Sequence, residues 1–266
     1  MKKLLIFGGS GMLGSELAIR ADQLGFLVKK PAHGNISIYN DIDITSVFST
    51  VQPDFVVNCA GVINHSAPIE EMHRTNALGP KIIANSARFF NVPFFHISTD
   101  CVFSGISQTV NRIEDKTDAS DAYGSTKAEG EKLALENGAY VVRTSFIGFK
   151  HGLLAWLIKE SSQGNLIEAW MNAFWNGSTV YEVVEGILQL VLNMPESKLI
   201  HLSSNNYTNK ASVLIHLASI FELNVDIRPI PEPSINRLLE PTHVIRSVYD
   251  DEVVGRLVKE YEAIGS

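Results

Sequence analysis

The sequence predicts an α/β protein built on a doubly wound parallel sheet, with a smaller C-terminal domain. Three observations predict it. An apolar run, Lys2–Phe7, ends on the glycine turn Gly8-Gly-Ser-Gly-Met-Leu-Gly14 and is followed by apolar residues at helical spacing. Short β-compatible runs then alternate with helical segments over roughly the first 150 residues. Tyr123 and Lys127 stand four apart in a segment of helical character.

Each element follows in order. Lys2–Phe7 reads as the first strand, and Leu13, Leu17, Ala18, Ala21 and Leu24 mark the helix after it. In this strand–turn–helix, Gly8 supplies the tight turn, Gly11 lets backbone approach a pyrophosphate, and Gly14 lets helix and strand pack closely. Ser10, Gly11, Met12 and Leu13 then offer peptide N–H groups at the positive end of a helix, which suits phosphate. That is a Rossmann-type dinucleotide site, although the spacing is Gly-x-x-Gly-x-x-Gly. Phe26–Lys30 is a second strand, Asp54–Cys59 a buried third, Pro68–Phe90 mostly helix and Val92–Ser98 a fourth strand. Asp121–Glu136 is helical and Ala139–Thr144 a strand. Gly148–Gly177 breaks the rhythm with Trp156, Trp170 and Trp175. Thr179–Leu192 and Ala211–Phe221 are helices, and Pro229, Pro231 and Pro233 precede a polar tail helix. We therefore expect a dinucleotide-binding domain at 1–147 plus 178–202 and a substrate-binding domain at 148–177 plus 203–266.

Composition narrows the class. With 266 residues, 45% of them hydrophobic, the chain is long enough for a full core. A net charge of −7 disfavours nucleic acid as the main partner, since phosphate binding needs a basic surface. Cys59 and Cys101 do not suggest a disulfide framework, which fits a cytoplasmic location. Lys2 and Lys3 precede an apolar run too short for a signal peptide, and no stretch approaches a membrane span. His65, His73, His96, His201, His216 and His243 are scattered without metal-ligand spacing, so no metal is expected. A homodimer is the default expectation.

The chemistry is carried by a few side chains. At i, i+4 the Tyr123 phenol and Lys127 ammonium share one helix face. A nearby lysine charge favours the phenolate and lowers a tyrosine pKa from about 10 toward working pH. This makes a proton donor and acceptor for a carbonyl or alcohol oxygen. The same spacing also occurs where a half-buried tyrosine sits beside a solvated lysine. Ser98 and Thr99 place hydroxyls at the carboxyl end of a strand, the ligand-binding edge of an open α/β sheet; they also suit a cap of the following turn. After the second strand, Lys29, Lys30 and His33 precede any carboxylate. That favours the 2′-phosphate of NADPH and leaves NADH open.

Together these stretches resemble an extended short-chain dehydrogenase/reductase, and more narrowly the dTDP-4-dehydrorhamnose reductase group of nucleotide-sugar reductases. The resemblance is carried by Gly8–Gly14, Asp41–Thr45, Pro53–Ala60, Ser98–Gly105, Tyr123–Glu131 and Arg143–Gly148, in family order. Trp175–Thr179 and Asn236-Arg237 resemble the group's substrate-domain landmarks. The resemblance implies Thr99, Tyr123 and Lys127 as catalytic residues, and adenine contacts from Asp43 and Ile44. It implies nicotinamide-ribose contacts from Cys59, Ala60, Gly61 and Lys127. Asp100, Cys101, Trp175, Asn176 and Arg237 become substrate contacts, the Arg237 fork suiting a pyrophosphate. The implied reaction is NADPH-dependent reduction of a nucleotide-linked 4-keto-6-deoxy sugar. Hydride passes to C4 while Tyr123 protonates the forming alkoxide and Thr99 holds that oxygen.

Position 101 departs from the pattern, with cysteine where the group has tyrosine. The Asp-Glu pair of sugar dehydratases is absent, which counts against elimination. GDP-fucose synthases carry a cysteine two residues after their catalytic serine and a histidine on a later loop. Cys101 stands two after Thr99, and His151 lies in a comparable segment. A Cys101/His151 pair suits a bifunctional 3,5-epimerase/4-reductase; otherwise Cys101 fills space and His151 is a surface residue. The NADP-binding regulatory subunit of methionine adenosyltransferase also resembles these reductases. The intact Thr99, Tyr123 and Lys127 set favours an enzyme over such a binding module.

Overall fold

The computed structural model describes residues 1–31, 36–64, 66–107 and 109–265; His33 and His65 lie outside them. Leu4 to Phe7 are all buried in β1 (Lys3–Phe7), the two-sided burial that a parallel sheet requires. The glycine turn leads into α1 (Met12–Gln23), which buries Leu13, Leu17 and Ala21, and β2 (Leu27–Lys29) follows. A helix not read from the sequence, α2 (Asp41–Val51), starts where the Asn40 side chain accepts from the Ile42 and Asp43 amides. It is followed by β3 (Phe55–Asn58).

The stretch expected to be mostly helix over 68–90 is helical in three consecutive pieces. These are α3 (Ile69–His73), a π-helical turn Arg74–Leu78, and α4 (Gly79–Phe89). β4 (Phe94–Thr99) ends in a 3₁₀ turn over Asp100–Val102. Asp121 caps α5 (Ala122–Glu136) by accepting from the Gly124 amide, and β5 (Tyr140–Thr144) follows. The remaining elements are β6 (Phe146–Ile147), α6 (Leu153–Ser162), β7 (Ile167–Trp170), β8 (Ala173–Trp175), β9 (Ser178–Thr179), α7 (Val180–Asn193), β10 (Leu199–Ser203), β11 (Thr208–Asn209), α8 (Lys210–Ile220), β12 (Ile227–Ile230), β13 (Ile235–Asn236), β14 (His243–Val244) and α9 (Asp251–Gly265). The seven-stranded sheet has the order β14-β10-β5-β4-β3-β1-β2. Its ladders β2-β1-β3-β4 and β10-β14 are parallel. β10, of five residues, and β14, of two, extend the sheet beyond the strands expected from the sequence.

The chain forms two compact units. The first comprises Met1–Phe103, Lys116–Arg143 and Val184–Ile200; the second comprises Ser104–Asp115, Thr144–Val183 and His201–Ser266. The segment Ser104–Asp115, placed by sequence in the dinucleotide domain, groups instead with the second unit. Its backbone explains why: the Asn111 amide donates to Leu238 O at 2.9 Å, and Gly105 O accepts from the Asn236 amide at 2.7 Å. Within the second unit β7 pairs with β12, and β8 lies between β11 and β13.

In the first unit one sheet face packs Leu5, Phe7, Val56 and Phe94 against Ile44, Phe48, Ile83, Ala87 and Ala134. The π turn fixes α5 beside this face. Asn76, fully buried in that turn, donates from its side chain to Val62 O at 3.0 Å and to Thr126 Oγ1 at 3.2 Å. Its side-chain oxygen accepts from the Val62 amide at 2.8 Å. The approach needs glycine, because a Cβ at Gly130 would stand 2.0 Å from Asn76 O. Backbone cannot give way as a flexible side chain does. Gly130→Ala is therefore expected to destabilise the protein by about 1–3 kcal/mol, measured by urea unfolding.

Candidate active site

The site grows from the strand register. Leu5, Val56 and Phe94 form one apolar row across β1, β3 and β4, and the row two residues on is Phe7, Asn58 and His96. Polar groups therefore enter the covered face where the strands reach their carboxyl ends. Asn58 and His96 are fully buried there. The Asn58 side-chain oxygen accepts from the Ala60 amide at 3.0 Å, and its nitrogen lies 3.2 Å from His96 Nδ1. His96 Nε2 lies 3.3 Å from Lys127 Nζ.

Lys127 is 4% exposed, and its Nζ donates to Ile97 O at 2.6 Å. Burial pushes its pKa down to about 8, against Glu131 and then Cys59, which favour the charge. Glu131 sits one turn further along α5 and receives Arg143 through two oxygens at 2.8–3.0 Å. Arg143 also lies 5.0 Å from the Phe103 ring. This buried fork is the structural partner expected of an arginine closing an apolar strand. Burial lowers His96 well below its ordinary value, with the Lys127 charge adding to it. Burial also raises the Cys59 thiol to about 12, against the opposing Lys127 charge. Cys59 is thus a neutral neighbour at the end of β3.

Across the edge, the Thr99 hydroxyl caps the turn by accepting from the Cys101 amide at 3.2 Å and lies 3.1 Å from Asp100 Oδ1. The cap expected at the strand end and the hydroxyl expected at the site are thus one group. Tyr123 hydrogen-bonds the same Thr99 side chain. Its acidity corrects a sequence expectation. Lys127 was to lower the phenol; burial, followed by the Cys101 charge, raises it instead, while the Thr99 hydrogen bond opposes the rise. The physical reason is direction as well as burial, because the Lys127 amine points at Ile97 O and His96. The Cys101 thiol lies 3.5 Å from Asp100 Oδ1, to which it donates in its neutral form.

The edge fits a nicotinamide dinucleotide. Gly8 adopts φ +73°, and a Cβ at Gly14 would stand 2.2 Å from Gly8 O, so turn and helix touch. Gly11 precedes α1 as its N-cap without a side-chain cap bond, so the first-turn N–H groups, those of Met12 and Leu13 among them, suit a phosphate. The Lys30 stem crosses this turn, 2.6 Å from where a Cβ at Gly9 would sit. Lys29, by contrast, is an exposed strand end. Cys59, Ala60 and Gly61 follow β3 directly, and Ala60 N lies 2.4 Å from a Cβ built on Gly8. Asp43 accepts from the Ser37 amide at 2.9 Å. Ile44 departs from the expected adenine contact: its side chain is in the core and its amide donates to Asn40 O.

The expected substrate residues in the second unit divide. Trp175 is 6% exposed and donates its indole N–H to Ser145 Oγ at 2.8 Å. Asn176 is buried, donating to Ser204 O and Leu239 O and accepting from the Leu239 amide. Both side chains are committed to holding strands together rather than displayed to a ligand. Arg237 is half-buried beside Gly105. His151 is exposed just before α6, its pKa lowered by partial burial and by Lys150. The outward tryptophans are Trp156 and Trp170, at 40% and 36% exposure. With Gly152, Leu153, Glu168, Lys210 and Leu214 they line a cavity of about 630 Å³, where Lys210 Nζ lies 5.3 Å from the Trp170 ring. The alternation in β7, with Ile167 and Ala169 buried and Glu168 and Trp170 exposed, was the sequence signal for it. Among the described residues no cluster of three metal-ligating side chains occurs, and no helix is long and apolar enough to cross a membrane.

The chain thus combines a parallel sheet and a glycine turn after β1 with a buried lysine and a Thr–Tyr pair at the sheet's carboxyl edge. The chain belongs to the RmlD substrate binding domain family, whose model matches residues 1–241. It is 28% identical over 212 residues to a dTDP-4-dehydrorhamnose reductase of Mycolicibacterium smegmatis, covering 76% of this chain and 64% of that one. The chain spans between about half and just under two thirds of the first curated relatives it matches. The fold is shared with a dTDP-4-dehydrorhamnose reductase from Bacillus anthracis in complex with NADP, at TM-score 0.87 and 18% identity over 98% of this chain and 100% of that one. It is also shared with the Bordetella bronchiseptica enzyme WbmH in complex with NAD+, at TM-score 0.83 and 20% identity over the full length of both.

Lys127 generates a stability prediction. Its pKa falls from 10.5 to about 8 on folding, so the unfolded chain binds more protons between those values. Stability therefore rises with pH across that window, and below it the buried charge costs its full amount. Lys127→Met is expected to stabilise the fold by about 1–3 kcal/mol near pH 7, with the gain shrinking as pH rises from 8 to 10.5 in urea titrations.

Proposed function

We propose that the protein is an NAD(P)H-dependent oxidoreductase that reduces the keto group at C4 of a nucleotide-linked 6-deoxy sugar. The observation that carries the reading is the Thr99–Tyr123 hydrogen bond beside a buried Lys127 at the carboxyl edge of the sheet. A raised phenol pKa keeps Tyr123 protonated, as a proton donor must be before it acts. Tyr123 gives its proton to the sugar oxygen, and the Thr99 hydroxyl turns from Asp100 Oδ1 to donate to that same oxygen. A reduced nicotinamide, when bound, supplies the hydride. Lys127 holds positive character below the reacting edge, and Cys59–Gly61 leave room beside it. Asp100 and Cys101 flank the oxygen, 3.5 Å from one another.

The first unit serves as the dinucleotide-binding domain and the second as the substrate domain. In the second, the tryptophan-lined cavity suits the flat face of a nucleobase, with Lys210 near enough to serve a phosphate. Arg237 remains a candidate for the pyrophosphate. NADPH is the preferred cofactor, because Lys30 lies over the glycine turn and no carboxylate ends β2.

Tyr123→Phe is expected to lower turnover of a dTDP-linked 4-keto-6-deoxy sugar by about 100- to 10,000-fold, with NADPH affinity retained. Unchanged turnover would remove the reading. Lys30→Ala is expected to weaken NADPH about tenfold in fluorescence titrations and to leave NADH unaffected. Equal losses for both cofactors would contradict the assigned phosphate contact.

A further inference from the structure

His96 has no part in the scheme above, yet it is buried between two polar groups at the site. Its neighbours restrict its protonation. Asn58 cannot turn its amide, because its oxygen is held by the Ala60 N–H at 3.0 Å. The Asn58 nitrogen is then the atom 3.2 Å from His96 Nδ1, and it has only hydrogens to offer. Nδ1 must accept, so a neutral ring carries its proton on Nε2. That N–H is aimed at Lys127 Nζ, 3.3 Å away. An ammonium presents only donors, so the two hydrogens conflict; an amine has a lone pair that accepts the Nε2–H. Ile97 O, at 2.6 Å, accepts from either form.

We propose that His96, oriented by Asn58, is a positioning residue that holds Lys127 at the border between amine and ammonium. The proposal rests on the reading of Tyr123 and Lys127 as the reacting pair. Other groups face the lysine: Glu131 on α5, itself bound by Arg143 of β5, and Cys59 after β3, while Tyr123 lies one turn earlier on α5. Glu131 favours the ammonium, and Cys59 is neutral at working pH, so the histidine N–H is the polar contact that opposes the charge. The backbone encodes the device. Register places Asn58 beside His96, and the β3 turn supplies the Ala60 amide that locks the asparagine.

The test is titration of Lys127 in the intact protein by NMR of ¹³Cε-labelled lysine, the signal being assigned with Lys127→Arg. His96→Gln offers a carbonyl oxygen to the ammonium, and Asn58→Ala lets the ring move its proton to Nδ1. Both are expected to raise the Lys127 midpoint by about one pH unit, tenfold in its proton affinity. The pH dependence of kcat should move the same way. An unmoved midpoint in folded variants would overturn the proposal. Should either variant fail to fold, ¹⁵N NMR of the unmodified protein decides: an Nε2–H ring supports the tether, and an Nδ1–H ring or an imidazolium overturns it. A shifted midpoint in a protein that turns over no keto sugar would leave the tether standing and remove the reductase reading. Turnover with an unmoved midpoint would remove only the tether.

Discussion

Placing a lysine amine inside the covered face of a sheet is the constraint on which the first unit depends. A charge there loses its hydration, so the structure must either neutralise it or surround it with acceptors. This chain does some of each. Ile97 O supplies an acceptor and Glu131 a nearby negative charge, whereas burial and the His96 N–H press toward the amine. Delivering the amine requires α5 to sit close to β4. That in turn requires Gly130 against the π turn and Asn76 tied to Thr126, the residue before Lys127. The glycine turn answers a similar demand at the neighbouring strand. Two close backbone approaches therefore set the edge at which a cofactor and a carbonyl would meet.

The sequence showed the parts whose signals are local. β1, its glycine turn and α1 read directly from an apolar run, the glycines and helical spacing, and the Tyr123–Lys127 face follows from i, i+4 geometry. α2 has a legible start in Asn40-Asp-Ile-Asp43, whose side-chain cap coincides with residues that the family resemblance assigns to the cofactor. The break in the helix over 68–90 has no local signature: its π turn is selected by Asn76 and Gly130, which meet only in the folded unit. β14 has two residues, and its pairing with β10 joins segments distant in the chain.

Residue roles followed the same division. Thr99 and Tyr123 form the expected pair, but the sign of the Tyr123 shift depends on burial and on where the lysine points, neither of which spacing encodes. His96 appeared as one of several scattered histidines, because its meaning comes from a register partner on β3. Trp175 and Asn176 carried the family likeness, yet they stitch strands together. Trp156 and Trp170 are the rings that reach a cavity. The motif and the lining of the cavity thus fall close together in sequence, one holding the loop by its hydrogen bonds and the other exposed.

The reductase reading is tested most directly by NADPH oxidation against 4-keto-6-deoxy sugars linked to dTDP, UDP and GDP, with and without a separate 3,5-epimerase. The expected result is oxidation that yields a 4-hydroxy sugar whose C3 and C5 configurations match those of the sugar supplied. NADPH bound but never oxidised, or C3 and C5 inverted without the epimerase, would contradict it.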